Sequence, residues 1–199
     1  MFIDRLTNKL QIDENWQVDY RQALKQNYRA SEHKKDVIML HYTDTVLTSS
    51  VVAGFTKTVT KTSAHFLVER DGHIIQFLPA NQVAYHAGNW DMNLRSIGVE
   101  LANVGVSKFG KYVPECDTML AKYPRTNTVS AWEKFRDEQL AALVQLLNAL
   151  VDVYPISTII GHDQVPKLGR IDPGPAFPWS LVLEEVQKKR PIEHTYPKS

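Results

Sequence analysis

Cysteine is almost missing from this chain. Cys116 is the only one in 199 residues, so no internal disulfide can hold the fold together. Net charge is nearly missing as well, with 23 Lys and Arg against 22 Asp and Glu for a formal +1. A field that small recruits neither nucleic acid nor an anionic membrane surface, and no nucleic-acid partner is expected. Long apolar runs are absent too. Nothing approaches the ~20 residues of a membrane span, so no integral membrane segment is expected. The opening MFIDRLTNKLQIDENWQ breaks its apolar positions with charges and does not read as a signal peptide. Repeats and low-complexity linkers are also lacking. What remains is 43% hydrophobic and 23% charged, the balance of a soluble globular chain long enough to bury one substantial core.

The patterning reads as one α/β domain. Residues 1–34 are polar and weakly patterned, an extension expected to pack on the edge of a domain spanning 35–190, with 191–199 as a tail. VIML at 37–40 is an uninterrupted β-prone run suited to a strand covered on both faces. VLTSSVVAGFTKTV suits a helix, against its β-branched content. In HFLVERDGHIIQFLP two β-prone runs flank Arg70-Asp71-Gly72, which predicts a hairpin. SIGVEL at 96–101 and STII at 157–160 read as further strands, and 103–131 as a long loop. Leu140, Leu143, Val144, Leu147 and Leu150 form the stripe of an amphipathic helix, and WSLVLEEVQKK reads as a closing one.

Three polar side chains fall where strands run out. His41 follows VIML, His162 follows STIIG, and Asp172 lies ten positions further on in GHDQVPKLGRIDPGPAF. Two imidazoles and a carboxylate make the three-ligand set of a hydrolytic zinc ion with a fourth position open. A lone histidine at a strand end is more often a hydrogen-bonded edge residue, and this spacing is no compact metal signature. Glu100 has two readings. Alternation puts Ile97, Val99 and Leu101 on one face of SIGVEL and Ser96, Gly98 and Glu100 on the other. Glu100 is then a carboxylate on a solvated face, or a general base beside the open space that Gly98 leaves. Arg170, two residues before Asp172, is a surface arginine or a fixed cation for a developing oxyanion. Trp90, Trp132 and Trp179 are core residues or the lining of a sugar groove.

Five segments in order carry a resemblance: VIMLHYT, SAHFLVERDGHIIQFLP, AYHAGNW, SIGVELAN and GHDQVPKLGRIDPGPAFPW. Over about residues 36 to 185 the chain resembles the type-2 N-acetylmuramoyl-L-alanine amidases, a family that includes peptidoglycan recognition proteins. The resemblance implies a central mixed β-sheet flanked by helices, with one Zn2+ per chain at strand ends. It implies His41, His162 and Asp172 as zinc ligands, Glu100 as the catalytic glutamate, and Arg170 at a position often lysine. His86 matches a histidine of the substrate groove, and His65 one near it. Arginine keeps the charge at 170 but cannot act as a proton donor. Ala64 stands where some relatives have a tyrosine, and Tyr85 where tryptophan is common. Cys116 matches no ligand position. The implied reaction is hydrolysis of the amide between N-acetylmuramic acid and L-alanine, in peptidoglycan or a muropeptide. A non-catalytic peptidoglycan-binding module and a zinc peptidase acting on the stem peptide are the alternatives. The insertion after SIGVELAN and the WEKF-x-x-EQ helix start look more like wall-acting members. Action on the wall outside the membrane, as a phage endolysin, or on recycled muropeptides in the cytoplasm are all compatible with this reading.

Overall fold

The computed structural model describes residues 1–106, 118–124, 126, 128–188 and 190–195. Cys116 lies outside them. The chain opens with β1 (Phe2–Ile3), β2 (Leu10–Gln11), β3 (Val18–Tyr20), β4 (Tyr28–Arg29), β5 (Val37–Tyr42) and α1 (Ser49–Thr56). Next come β6 (Phe66–Val68), β7 (Ile74–Gln76), β8 (Val83–Ala84), α2 (Trp90–Arg95) and β9 (Ser96–Leu101). It closes with β10 (Thr118–Lys122), β11 (Val129–Glu133), α3 (Asp137–Val153), β12 (Thr158–Gly161) and α4 (Trp179–Gln187). Among the described residues no helix is long and apolar enough to cross a membrane.

Six strands form the central sheet in the order β12-β5-β9-β6-β7-β3. It is mixed: β6 and β7 are the antiparallel hairpin around Gly72, and the other neighbours are parallel. Gly72 takes a φ of 85° there, and a Cβ at this position would come within 2.9 Å of the Glu138 carbonyl. Alternation along each strand sorts the side chains into two layers. Ile38 and Leu40 of β5, Ile97, Val99 and Leu101 of β9 and Ile159 of β12 face α3 and α4 in the larger core. All five residues of the expected α3 stripe are in that core. Val37, Met39 and Ile160 face the other way, beneath Ala87 and Met92. That second face, at the C-terminal ends of β12, β5 and β9, carries the polar side chains discussed below.

The first 34 residues belong to the fold itself. β3 pairs in parallel with β7 as an edge strand, β4 pairs with β8, and Ile3 and Leu10 are buried in the main core. Of the segment read as a tail, Ile192 is buried in the main core and Glu193 bridges Thr158 alongside β12. The stretch read as a long loop contains the antiparallel β10–β11 hairpin. Most of its side chains face solvent, so no buried alternation announces it, and Leu120 is 74% exposed. WEKF does not start a helix: Trp132 and Glu133 end β11, and α3 begins at Asp137.

Two buried charges tie the layers together. Glu133 receives a forked pair of hydrogen bonds from Arg70, at 2.7 and 3.0 Å, and one from the Val104 amide at 2.6 Å. Lys35 is fully buried and donates to the carbonyls of Leu94 and Ser96 at 2.9 and 3.1 Å, where α2 ends. A cation at a helix C-terminus is favourable, yet burial pushes the Lys35 ammonium down to about 7. The folded protein therefore holds this proton less well than the unfolded chain, whose lysines titrate near ~10.4. Between these values the unfolded state binds more protons, so stability rises with pH across that window, by at most about 1.4 kcal/mol per pH unit. The urea midpoint of the native protein should increase between pH 7 and 9.5, and Lys35→Met should remove the increase. A flat native profile would show that the carbonyls of Leu94, Ser96 and, at 3.4 Å, Asn93 offset the burial.

Candidate metal centre and catalytic site

β5 and β12 run in parallel, so the histidines that follow their apolar runs emerge at the same end of the sheet. His41 is the fifth residue of β5 and His162 follows directly on β12. Both rings are buried. Asp172 returns to the same point from the loop that follows. Its carbonyl accepts from the Asp163 amide at 2.9 Å, and Gly161 permits the close approach. A Cβ at Gly161 would lie 2.3 Å from Asp163 Oδ1 and 2.6 Å from Pro173 Cδ.

The result is a triangle of lone-pair donors. His41 Nδ1 is 3.0 Å from His162 Nδ1 and 2.9 Å from Asp172 Oδ2, and His162 Nδ1 is 3.1 Å from the same oxygen. Ligands on a tetrahedral ion with bonds of ~2.0–2.1 Å stand about 3.3 Å apart, so the spacing fits a metal ion with little adjustment. The tautomers fit too. Nε2 of His162 lies 3.3 Å from the Ala87 carbonyl, which can only accept, so the ring proton is on Nε2 and Nδ1 is bare. These three residues could hold a metal ion.

Burial lowers the His41 pKa, with the Asp172 contacts acting the other way. Burial alone would raise Asp172, but its close contacts with His162 and His41 act the other way and hold its carboxyl below the usual range.

Glu100 sits beside His41 because the β5–β9 register pairs the two residues directly. Burial, then the charge of Asp172, pushes its carboxyl well above the ordinary range. Its Oε2 is buried without a hydrogen-bond partner. A carboxyl with one buried, partnerless oxygen beside candidate metal ligands is unlike a solvated-face glutamate. Both Glu100 and the three candidate ligands line a cavity of about 560 Å³, with Arg170 on an exposed segment of its wall.

The two other histidines expected at the site separate. His86 lines the cavity, and its Nδ1 is 3.0 Å from His41 Nε2. Burial holds its pKa well below the ordinary value, so the ring is neutral. His65, expected near the groove, is fully buried behind it. Its Nδ1 accepts from the Gly98 amide at 3.0 Å and its Nε2 donates to the Gln82 carbonyl at 2.9 Å. Both nitrogens are used within the protein, and burial pushes the ring down to about 3. The open space expected beside Gly98 is filled by His86: a Cβ there would lie 2.5 Å from Cγ of that ring.

Of the tryptophans, Trp132 is in the interior, while Trp179 packs on His194 with ring centroids 3.9 Å apart. Trp90 is 46% exposed beside Tyr85, itself a lining residue. Sequence reasoning missed Asn93, whose Oδ1 accepts the amides of His86 and Ala87 at 3.1 and 2.8 Å. No spacing rule marks an asparagine seven positions from its partner.

Fold and site together define the class: an α/β domain with three side chains that could hold a metal ion gathered at the C-terminal ends of parallel strands. The family model described as N-acetylmuramoyl-L-alanine amidase matches residues 31–175, and the chain belongs to that family. It is 30% identical over 137 residues to the 1,6-anhydro-N-acetylmuramyl-L-alanine amidase AmpD of Escherichia coli K12, a match covering 65% of this chain and 61% of AmpD. The chain thus spans about six-tenths of the length of that curated relative.

A solved structure of an AmpD derivative superposes with a TM-score of 0.63 at 24% identity, covering 89% of this chain and 99% of that one, which speaks to the fold. The amidase AmiD from E. coli, solved with anhydro-N-acetylmuramic acid-L-Ala-D-gamma-Glu-L-Lys, gives a TM-score of 0.59 at 26% identity, covering 78% of this chain and 59% of that one.

One transition-metal ion should bind per chain, as elemental analysis of protein purified without chelator would show. His162→Ala should lose the ion while circular dichroism reports a retained fold.

Proposed function

We propose that this chain is a zinc-dependent N-acetylmuramoyl-L-alanine amidase, cutting the amide between N-acetylmuramic acid and L-alanine of peptidoglycan or muropeptides. The observation that carries the reading is the triangle of His41 Nδ1, His162 Nδ1 and Asp172 Oδ2 beside the buried, partnerless Oε2 of Glu100. The names of AmpD and of the AmiD complex, which both contain a muramyl–L-alanine unit, support the bond chosen.

Two imidazoles and one carboxylate suit zinc, which when bound polarises a carbonyl and lowers the pKa of water toward ~7. Glu100 takes the proton of the attacking water and returns it to the departing amine of L-alanine. Its raised affinity for a proton suits both halves of that transfer, since it must hold the proton between them. Arg170 brings a permanent positive charge to the cavity wall, where the oxyanion of the attacked carbonyl develops. Arginine stays charged throughout and contributes no proton. Tyr85, Ser63 and Thr62 offer the cavity wall an aromatic face and hydroxyls for the sugar and the first peptide residues. A site that engages both sides of the bond turns flanking binding energy into orientation of the amide.

Mass analysis of products from intact sacculi and from purified muropeptides should show release of the stem peptide at its L-alanine. Cleavage within the peptide would support a peptidase instead, and binding without turnover a recognition module. Equal rates on N-acetylmuramoyl-dipeptide and on a sugarless peptide would remove the two-sided groove. Glu100→Gln should keep the metal and lose at least ~10²-fold in turnover. Arg170→Ala should lower turnover by about 10²–10³-fold with little change in KM, as for a deleted oxyanion donor. Arg170→Lys should preserve most activity.

A further inference from the structure

His86 lines the cavity, yet neither of its ring nitrogens is available to a substrate. Nδ1 lies 3.0 Å from His41 Nε2, and Nε2 lies 3.1 Å from Ser96 Oγ. The direction of each bond follows from one end of the chain. Ser96 Oγ also bonds the Met92 carbonyl, which can only accept, so the hydroxyl proton is committed there. Ser96 Oγ then accepts from Nε2–H of His86. With its ring proton used, His86 presents a bare Nδ1, and His41 must donate from Nε2. That leaves His41 Nδ1 without a proton, facing His162 Nδ1 and Asp172 Oδ2.

The neighbouring residue does the same for the second imidazole. The Ala87 carbonyl accepts from His162 Nε2 at 3.3 Å, which bares Nδ1 of His162. A single dipeptide therefore sets both tautomers. It is held from two sides: Asn93 Oδ1 accepts both of its amides, and the His86 ring lies against the bare backbone of Gly98. Any side chain at 98 would occupy the space of that ring, which packs edge-on against His41.

We infer that His86–Ala87, pinned by Asn93 and slotted against Gly98, is the orienting element for both imidazole ligands, with His86 a positioning residue rather than a substrate contact. The inference rests on the metal site proposed above and deepens it. Outer partners of metal-bound histidines fix ring orientation, and their loss weakens metal binding by about 10–100-fold.

Zinc affinity of the full chain, measured by competition with a chelating dye, tests this without recourse to turnover. His86→Ala should weaken zinc binding by about 10–100-fold. His86→Asn should recover most of the loss, since its Oδ1 stands where Nδ1 stood and can accept from His41. Gly98→Ala should behave like His86→Ala because it expels the ring. Thermal melting of the metal-free variants serves as the control, and His86→Asn carries the test if Gly98→Ala does not fold. Native affinity in His86→Ala with a raised KM for muropeptide would make His86 a substrate contact and overturn the inference alone. Native protein that binds no zinc would overturn the proposed function with it.

Discussion

The parallel pairing of β5 with β9 is the constraint on which the site depends. It sets His41 beside Glu100 and Met39 beside Gly98, on one face of a sheet whose other face is committed to the main core. Because side chains alternate with a period of two, a slip of one residue would turn His41 into the core and Ile38 toward the cavity. Burial of Ile38, Leu40, Ile97, Val99 and Leu101 against α3 and α4 is what forbids that slip. The apolar layer thus fixes, from behind, the distance between a candidate metal ligand and a candidate base.

The same logic explains the polar cost the protein carries at the strand ends. Two imidazole nitrogens and a carboxylate oxygen are gathered within about 3 Å of one another, and Glu100 Oε2 is buried without a hydrogen-bond partner. Such an arrangement persists only when the surrounding structure over-determines it. Here the strands, the Gly161–Pro173 contact and the Ala87 carbonyl each constrain one member. Rigidity of this kind suits a site whose chemistry depends on orientation.

Much of this was legible in the sequence, for identifiable reasons. VIML and STII are short apolar runs with His41 and His162 just beyond them, and alternation along SIGVEL separates Glu100 from Ile97, Val99 and Leu101. The α3 stripe is equally plain. What sequence did not disclose depends on tertiary partners. The β10–β11 hairpin carries mostly exposed side chains, so its alternation is invisible to a hydrophobic pattern. β3 is three residues long and gains its identity only by pairing with β7. His65 and His86 look alike in sequence, in SAHF and AYHAG, yet one is consumed by the Gly98 amide and the Gln82 carbonyl while the other reaches His41. Gly98 looked like a vacancy and proved to be a seat, which only the position of His86 reveals.

The two edges of the central sheet share a property that bears on how the chain behaves outside its native state. β3 covers the free edge of β7, and the segment around Glu193 covers that of β12. An uncovered edge offers unpaired amides and carbonyls to any passing strand, including one from another copy. Both guards here are brief, and β3 ends in Asp19 and Tyr20 with Tyr20 exposed, a poor template for further pairing. β5 and β12 are the reverse: uncharged from Val37 to Leu40 and from Thr158 to Ile160, and apolar at each of those positions except Thr158. Cover for both sheet edges thus rests on two short flanking segments, and a fragment trimmed to the family-matched core of residues 31–175 would keep the apolar strands while discarding both guards.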